Sequence, residues 1–335
     1  MTTHVGIVGA GNISETHARA AAAIPGVRIA AVHGDNRARA AALAAQFGAA
    51  ACDDFEAFLA HRPMDLVAIG SPSGLHAAQG IAAARRGLHV LVEKPLDITV
   101  EAADALVVAA EHAGVRLGVF FQDRFKPDIV RLKRIVEAGR LGRLLFVDAR
   151  VPWYRPPDYY GSSRWRGTWA LDGGGALMNQ GIHTVDLLLW LAGDVNRVQA
   201  IAKASLHDIE VEDTAAALLE FDGGAVGVLA ATTAAYPGYA RRIQVTGTDG
   251  TAIVENDRLV SLDLRVPGDE RLEPAAEGRQ ASAGSPVVAD AGPHRAVFED
   301  FLQAIETGRP PRCDGRDARR SVALVRAIYD AAGRS

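Results

Sequence analysis

Asn179, His183 and Asp186 stand four and then three residues apart in the run 172–193, "DGGGALMNQGIHTVDLLLWLAG". Those intervals put three polar side chains on one helix face, in a segment otherwise made of Leu, Val, Ile and Trp. Imidazole titrates near neutral pH and can accept the proton of an alcohol; a histidine hydrogen-bonded inside a core would leave the same trace. A second reactive group stands at 93–95, where "EKP" closes the apolar run "LHVLV". Proline holds the residue before it extended, so Lys94 cannot slip into a following helix. An ammonium fixed there can stabilise a developing alkoxide. The preceding apolar run ends in "GSPSGLH", which carries Ser71, Pro72 and His76 to the same sheet edge.

"GIVGAGNIS" places Gly9, Gly11 and the small Ser14 between a first strand and a first helix. Gly9 allows a tight turn, Gly11 lets a pyrophosphate approach the backbone, and the helix N-terminus at Asn12 and Ile13 offers N–H donors and positive potential. The second strand ends in "AVHGDNRAR". An acidic residue here chelates the adenosine ribose hydroxyls and favours NAD, whereas a small residue followed by Arg favours NADP. The usual acidic slot falls on Gly34, with Asp35 one place later and Arg37 and Arg39 beyond. Asp35 would repel a 2′-phosphate, so NAD is expected, with Arg37 the residue that could admit NADP.

The stretch 151–175, "VPWYRPPDYYGSSRWRGTWALDGGG", holds three of the four tryptophans together with three tyrosines and three arginines. Aromatic faces beside fork-shaped donors suit a sugar ring and an acidic substituent. Trp153 is thus a substrate candidate, and Arg155 and Arg164 are candidates for a carboxylate or phosphate. The same composition also marks subunit interfaces.

Positioning these groups requires a particular order of elements. Up to about residue 122, the apolar runs at 4–9, 27–32, 65–70, 88–93 and 115–120 alternate with Ala-rich helical stretches near 13–23, 36–47, 54–61, 74–86 and 99–113. Continuous apolar strands separated by helices mean a parallel sheet covered on both faces, the doubly wound α/β pattern. A mixed-charge helix at 126–138 stops at Gly139. After it come strand-like runs at 143–151, 195–206, 213–221, 225–235, 241–247, 251–256 and 259–265, joined by "DGG", "GTDG" and "ND", which is hairpin chemistry. The expectation is a Rossmann domain over 1–122 and an α+β substrate-binding and oligomerisation domain over 123–335 with a large open antiparallel sheet. Residues 274–293 lack periodicity and are expected to form a surface loop. Two amphipathic helices close the chain and can pack back on the first domain.

The 335 residues, 49 % hydrophobic and 23 % charged with net charge −4, suit two globular domains. No basic face argues for nucleic acid or a membrane surface, and no run of about 18 uncharged apolar residues could span a bilayer. Cys52 and Cys313 are too few for a disulfide scaffold and lack metal-ligand spacing, so no metal is expected. With no leader-like N-terminus, a cytoplasmic protein is expected.

Taken in order, "GAGNIS", "SPSGLH", "EKP", "GGGALMNQGIHTVD" and "DFLQAIETGRPPRCDGRDARRSV" resemble the Gfo/Idh/MocA oxidoreductase family over essentially the whole chain. The resemblance implies an NAD(P)-dependent dehydrogenase that oxidises a ring hydroxyl of a sugar, sugar acid, glycoside or polyol to a ketone, or the reverse. It implies that Lys94 contacts the nicotinamide ribose and the reacting hydroxyl, that His183 accepts the proton, and that Trp165 and Arg166 reach the cofactor. Ser71, Pro72, His76, Glu93 and Gln122 are placed around the cofactor as well, and Arg124 with the substrate. Many polyol-oxidising relatives carry Asp four residues before the histidine; Asn179 stands there instead and can hydrogen-bond a sugar hydroxyl but cannot take its proton. Asp186 is expected to orient His183 or to serve the fold. An NAD-using glycosidase of related fold and a sugar-sensing regulator are the competing classes; the intact "EKP" speaks against the first, the retained His183 against the second. With helices at 176–191 and 295–307 covering one face of the second sheet, the other face, apolar in runs such as "AVGVLAATTAA", is expected to pair in a homodimer or a homotetramer.

Overall fold

The computed structural model describes residues 2–268 and 290–334; most of the aperiodic stretch 274–293 lies outside them. The chain divides into two compact units, 1–122 with 287–319 and 123–286 with 320–335. The first unit runs β1 (Thr3–Val8), α1 (Asn12–Ala22), β2 (Val27–His33), α2 (Arg37–Phe47), β3 (Ala50–Cys52), α3 (Phe55–Ala60), β4 (Leu66–Ile69), α4 (His76–Arg85), β5 (His89–Val92), α5 (Val100–Ala113) and β6 (Leu117–Val119). Its sheet has the order β3-β2-β1-β4-β5-β6, and all its pairings are parallel. Helices on both faces leave no wet side, and Leu66 to Ile69 are accordingly all fully buried. The order reverses between β1 and β4, and doubly wound sheets bind ligands outside the carboxyl ends of such a pair.

Local chemistry sets the helix limits. The side chains of Asn36, Asp54 and Thr99 accept the N–H three residues on and start α2, α3 and α5. Gly48 and Gly114 stop α2 and α5 in the left-handed conformation. The three-residue β3 was not expected, because so short a strand carries no periodicity to read.

The second unit contains α6 (Pro127–Glu137), β7 (Leu144–Pro152), α7 (Pro157–Gly161), a π-helical turn (Ala176–Gly181), α8 (Ile182–Ala192), β8 (Val195–Lys203), β9 (Thr214–Phe221), β10 (Val226–Thr232), β11 (Arg242–Gly247), β12 (Gly250–Glu255) and β13 (Arg258–Leu264). Its seven strands lie in the order β13-β12-β11-β7-β10-β9-β8. The hairpins read from the turns are present, with Asn256 and Asp257 both at positive φ between β12 and β13. The sheet is nevertheless mixed: β7 inserts between β10 and β11, parallel to the first and antiparallel to the second. No two-residue turn joins β10 to β11, and that gap is where the earlier strand enters. β9 alternates cleanly, with Ala215, Ala217, Leu219 and Phe221 inward and Leu218 outward. The helices α6 and α8 pack on the inner face.

Then follow α9 (Gly292–Thr307) and α10 (Gly315–Ala331). The expectation that 295–307 covers the second sheet is corrected, since α9 belongs to the first unit and packs against α1. Its stripe of Val297, Phe298 and Phe301 is buried there. Phe298 meets Phe120 edge to face at 5.3 Å, and Phe301 fills the place above Gly118, where a Cβ would lie 2.7 Å from its ring. Phe298→Ala is expected to cost about 3–5 kcal/mol of unfolding free energy, read from urea denaturation; a loss below about 1 kcal/mol would show α9 to be peripheral.

Candidate functional site

In the first unit the candidates gather at the carboxyl edge of the parallel sheet. Gly9 has φ +109°, and a Cβ there would lie 2.5 Å from Ser14 Oγ and 2.7 Å from the Gly70 carbonyl oxygen, so only glycine fits. At Gly11, the residue preceding α1, a Cβ would meet nothing within 4 Å, and no side chain caps the helix. Open space before uncapped N–H groups is what a pyrophosphate needs. Ser14 Oγ donates to the Gly70 carbonyl (3.3 Å) and ties the loop to β4. Asp35 is exposed just past β2. Arg37 reaches Asp53 at 3.6 Å, and Arg39 donates to Asn12 Oδ1 at 3.4 Å.

The turn carrying half-buried Lys94 is clamped from several sides. Asp97 accepts the N–H groups of Ala77 (2.9 Å) and Ile98 (2.7 Å). His76 was placed around the cofactor, but its ring is 1 % exposed. Its nitrogens lie 2.8 Å from the Pro95 carbonyl and 3.0 Å from that of Ser71, so it braces the turn. Ser71 Oγ donates to Gln79 (2.6 Å), and Pro72 leads into a 3₁₀ turn at Ser73–Leu75. Glu93 also points inward. One oxygen stands 3.0 Å from His17 Nε2 and 3.5 Å from His294 Nε2, while the other accepts the Lys94 N–H at 3.0 Å. Burial would raise the Glu93 pKa, but hydrogen bonds and charge from both histidines hold it well below the usual carboxylate range; burial lowers that of His17. The three donor atoms lie within 4.8 Å of one another, a set of ligand types a metal could also use. Residues 17, 93 and 294 have no spacing from which the cluster could have been read. Gln122, just past β6, has a buried Oε1 with no hydrogen-bond partner among the described residues.

In the second unit the three glycines serve close approach. Gly173 and Gly174 have φ of +73° and +153°; a Cβ on Gly174 would collide with the Tyr329 hydroxyl, and one on Gly175 with the Glu212 backbone carbonyl. Buried Glu212 accepts the N–H groups of Gly175 (3.0 Å) and Leu177 (2.8 Å) and the Tyr329 hydroxyl (2.8 Å). Burial raises its pKa against those bonds. Beyond the glycines the chain makes a π turn, with Gln180 N–H donating to the Gly175 carbonyl five residues back (3.2 Å).

The expected single face is therefore corrected. Asn179 lies in the wider turn, donating to Asp172 and accepting from Gln180 (2.8 Å), while His183 opens α8 with 12 % side-chain exposure. Asp186 turns inward and receives Arg124 through Nε (2.8 Å) and Nη2 (2.6 Å). Both side chains are 1 % exposed, so Arg124 and Asp186 pair with each other inside the fold: Asp186 serves the fold, and Arg124 leaves the substrate set. Arg155 leaves it too: it is buried and donates twice to Gln180 Oε1 (3.1 and 2.7 Å). Its guanidinium sits 5.3 Å from the Trp153 ring and 5.6 Å from Tyr159. Arg166 stacks over Tyr159 at 4.5 Å, with Trp165 at 5.5 Å, and Arg164 is exposed.

The partner of His183 was not foreseen. Its Nδ1 is 3.9 Å from Asp123 Oδ2. Asp123 also receives Lys126 (2.6 Å) and Arg241 (2.7 Å), and both cations reach Asp257 in the β12–β13 turn. Burial would raise the Asp123 pKa, but Arg241, His183 and Lys126 hold it well below the ordinary value. Burial lowers that of Lys126. In the sequence "QDRFKP" only the Asp123–Lys126 spacing could have been noticed; Arg241 lies 118 residues from Asp123.

Residues 3–121 match the family model for an oxidoreductase family with an NAD-binding Rossmann fold, and residues 129–253 that for the GFO/IDH/MocA C-terminal domain. The chain is 28 % identical to inositol 2-dehydrogenase of Rhizobium meliloti (strain 1021), covering 100 % of this chain and 97 % of that protein. It is 32 % identical to D-xylose 1-dehydrogenase (NADP(+)) 2 of Haloferax volcanii over 90 % and 89 % of the two chains. The crystal structure of the WlbA dehydrogenase from Bordetella pertussis in complex with NADH and UDP-GlcNAcA superposes with TM-score 0.90 at 32 % identity, covering 99 % and 96 %. No helix among the described residues is long and apolar enough to cross a membrane.

With Asp35 exposed past β2 and Arg37 directed to Asp53, NADH is expected to bind roughly tenfold or more tightly than NADPH, since a carboxylate at this position would accept ribose hydroxyls and repel a 2′-phosphate. Titration calorimetry with both checks this; tighter NADPH binding would give the decision to Arg37 or Arg39.

Proposed function

The chain belongs to the Gfo/Idh/MocA family of NAD-binding oxidoreductases, and from that premise we propose that it oxidises one ring hydroxyl of a sugar, sugar acid, glycoside or polyol to a ketone, or runs the reverse reaction. The observation that carries the reading is His183, a partly exposed imidazole at the head of α8 with an ionised carboxylate behind its Nδ1. Removing hydride from a secondary alcohol requires its hydroxyl proton to leave, and an imidazole does this well near neutral pH. Bound nicotinamide supplies the hydride acceptor. Lys94 stabilises the negative charge developing on the substrate oxygen, and the clamp of Asp97, His76 and Glu93 holds the backbone turn from which its side chain extends. Gln122 Oε1 suits a carboxamide N–H, which would give that buried acceptor a donor.

The substrate class draws support from the relatives, named for inositol and D-xylose, and from the structural neighbour bound to UDP-GlcNAcA. With Arg124, Arg155 and Asp186 engaged internally, Trp153, Arg164 and Asn179 remain as substrate contacts, and Trp165 and Arg166 as cofactor contacts. Screening NAD reduction across sugars, sugar acids and polyols identifies the substrate. On the best of these, Lys94→Ala and His183→Ala are each expected to lower kcat by roughly 10²-fold or more, with NADH affinity of His183→Ala near the parent value. Turnover by His183→Ala at the parent rate would remove it as the proton acceptor.

The proposed assembly is a homodimer, or a tetramer of two, through the outer face of the second sheet. There Ile201 is 70 % exposed, Leu218 54 % and Val226 49 %, with Phe146 beside them. Adjacent strands β8, β9, β10 and β7 carry these residues on the outer face among Gln199, Glu220 and Arg150, and a second copy would cover them in a two-fold contact. Light scattering at micromolar concentration should give at least a dimer mass; a monomer mass would exclude the assembly.

A further inference from the structure

We propose that Asp123 is the positioning carboxylate of His183, supplying from the start of the second unit the negative charge that Asn179 cannot. The inference rests on the reading of His183 as proton acceptor. Asn179 is neutral, and its amide is engaged with Asp172 and Gln180. Asp123 Oδ2 lies 3.9 Å from His183 Nδ1, an ion-pair separation, on the edge of the ring away from Nε2. A carboxylate on that side favours the tautomer with hydrogen on Nδ1, which leaves the Nε2 lone pair to receive a proton. It also stabilises the imidazolium once the proton has arrived. The proton moves from the substrate hydroxyl to Nε2, and Asp123 stays ionised throughout.

The strength of the effect depends on the surrounding charges. Asp123 and Asp257 carry two negative charges and Lys126 and Arg241 two positive ones, in mutual contact, so the cluster facing His183 is neutral as a whole. Arg241 Nη1 also lies 3.5 Å from Thr184 Oγ1, on the residue after His183. On α8 itself, Asp186 is matched by Arg124. From α6, Lys133 is occupied with the Trp190 carbonyl at 2.6 Å. The inner face of β7 offers Val147, Ala149 and Val151 and no charge. Removing Asp123 therefore leaves a net positive cluster behind the imidazole and disfavours its protonation. Removing Lys126 leaves a net negative one and favours it. A merely structural cluster would give no such opposite pair.

The test follows the His183 ring by NMR in histidine-labelled protein saturated with NADH, its signal assigned by loss in His183→Gln. Alongside it runs the pH dependence of kcat/KM. In Asp123→Asn the ring midpoint should fall by about one pH unit, and the acidic limb of kcat/KM should move down with it. In Lys126→Gln both should move up. Asp123→Glu should restore the direction of the parent. A ring midpoint that moves in neither variant overturns the role of Asp123. If Asp123→Asn does not fold, as judged by circular dichroism, Lys126→Gln decides alone, and an unmoved midpoint there overturns it equally. A limb that stays while the ring midpoint moves overturns His183 as the proton acceptor, a failure of the proposed function rather than of the pairing.

Discussion

A carboxylate taken out of water has to be surrounded by donors or by positive charge, and three such groups order the segments that matter in this chain. Glu93 draws His17 from α1 and His294 from α9 to the end of β5, and its second oxygen holds the backbone of Lys94. Glu212 holds the Gly175 and Leu177 amides and the Tyr329 hydroxyl, so the segment leading into β9, the π turn and α10 meet at one side chain. Asp123 collects Lys126, Arg241 and His183. In each case the acid sits beside the reactive segment and joins it to elements distant in sequence. The parallel sheet and the mixed sheet provide the frames; these three carboxylates set the local backbone on which Lys94 and His183 stand.

The three differ in how they are neutralised, and this separates their response to pH. Glu93 and Asp123 have charged or chargeable partners and titrate well below their ordinary values. Their contribution to stability is present above the unfolded-state pKa and is lost as pH falls through the folded one. Glu212 has backbone amides and a phenol, which carry no net charge, and burial raises its pKa. Its native state holds the proton more tightly, so its contribution favours low pH and declines as pH rises past the unfolded-state value. The turn bearing Lys94 is thus anchored ionically, while the glycine segment leading to His183 is anchored by neutral donors around a group that resists ionisation.

What could be read from the sequence follows the range of the interactions. The strands β1, β2, β4 and β5, the helix starts near Asn36, Asp54 and Thr99, and the hairpin at Asn256–Asp257 depend on neighbours in the chain and were legible. The phosphate-loop geometry at Gly9 and Gly11 was legible for the same reason. The insertion of β7 between β10 and β11 depends on pairing across 80 residues to β10 and more than 90 to β11, and the docking of α9 on α1 on an apolar stripe that would have suited either unit. Neither leaves a local mark. Helical spacing put Asn179, His183 and Asp186 on one face, but spacing carries no information about which polar group is drawn inward, and Arg124 draws in Asp186. Arg155 shows the same limit: a guanidinium among aromatic rings reads as a recognition site from composition, yet two bonds to Gln180 make it part of the interior.

The π turn links these points to the chemistry. Glu212 and Tyr329 bring the backbone at Gly174 and Gly175 too close for any Cβ, and the chain then enters α8 through the π turn at Ala176–Gly181. The extra residue accommodated before Ile182 changes the rotation of everything upstream relative to His183. In a continuous helix Asn179 would stack one turn below the imidazole. In the widened turn its amide goes to Asp172, and the charge behind the imidazole comes from Asp123 on a different element. The turn thus engages the neutral amide of Asn179 internally, while the carboxylate facing the imidazole is that of Asp123. In the proposed role of His183 as base, a partner charge offset by Lys126 and Arg241 lets those cations tune it without altering the residues that would meet the substrate.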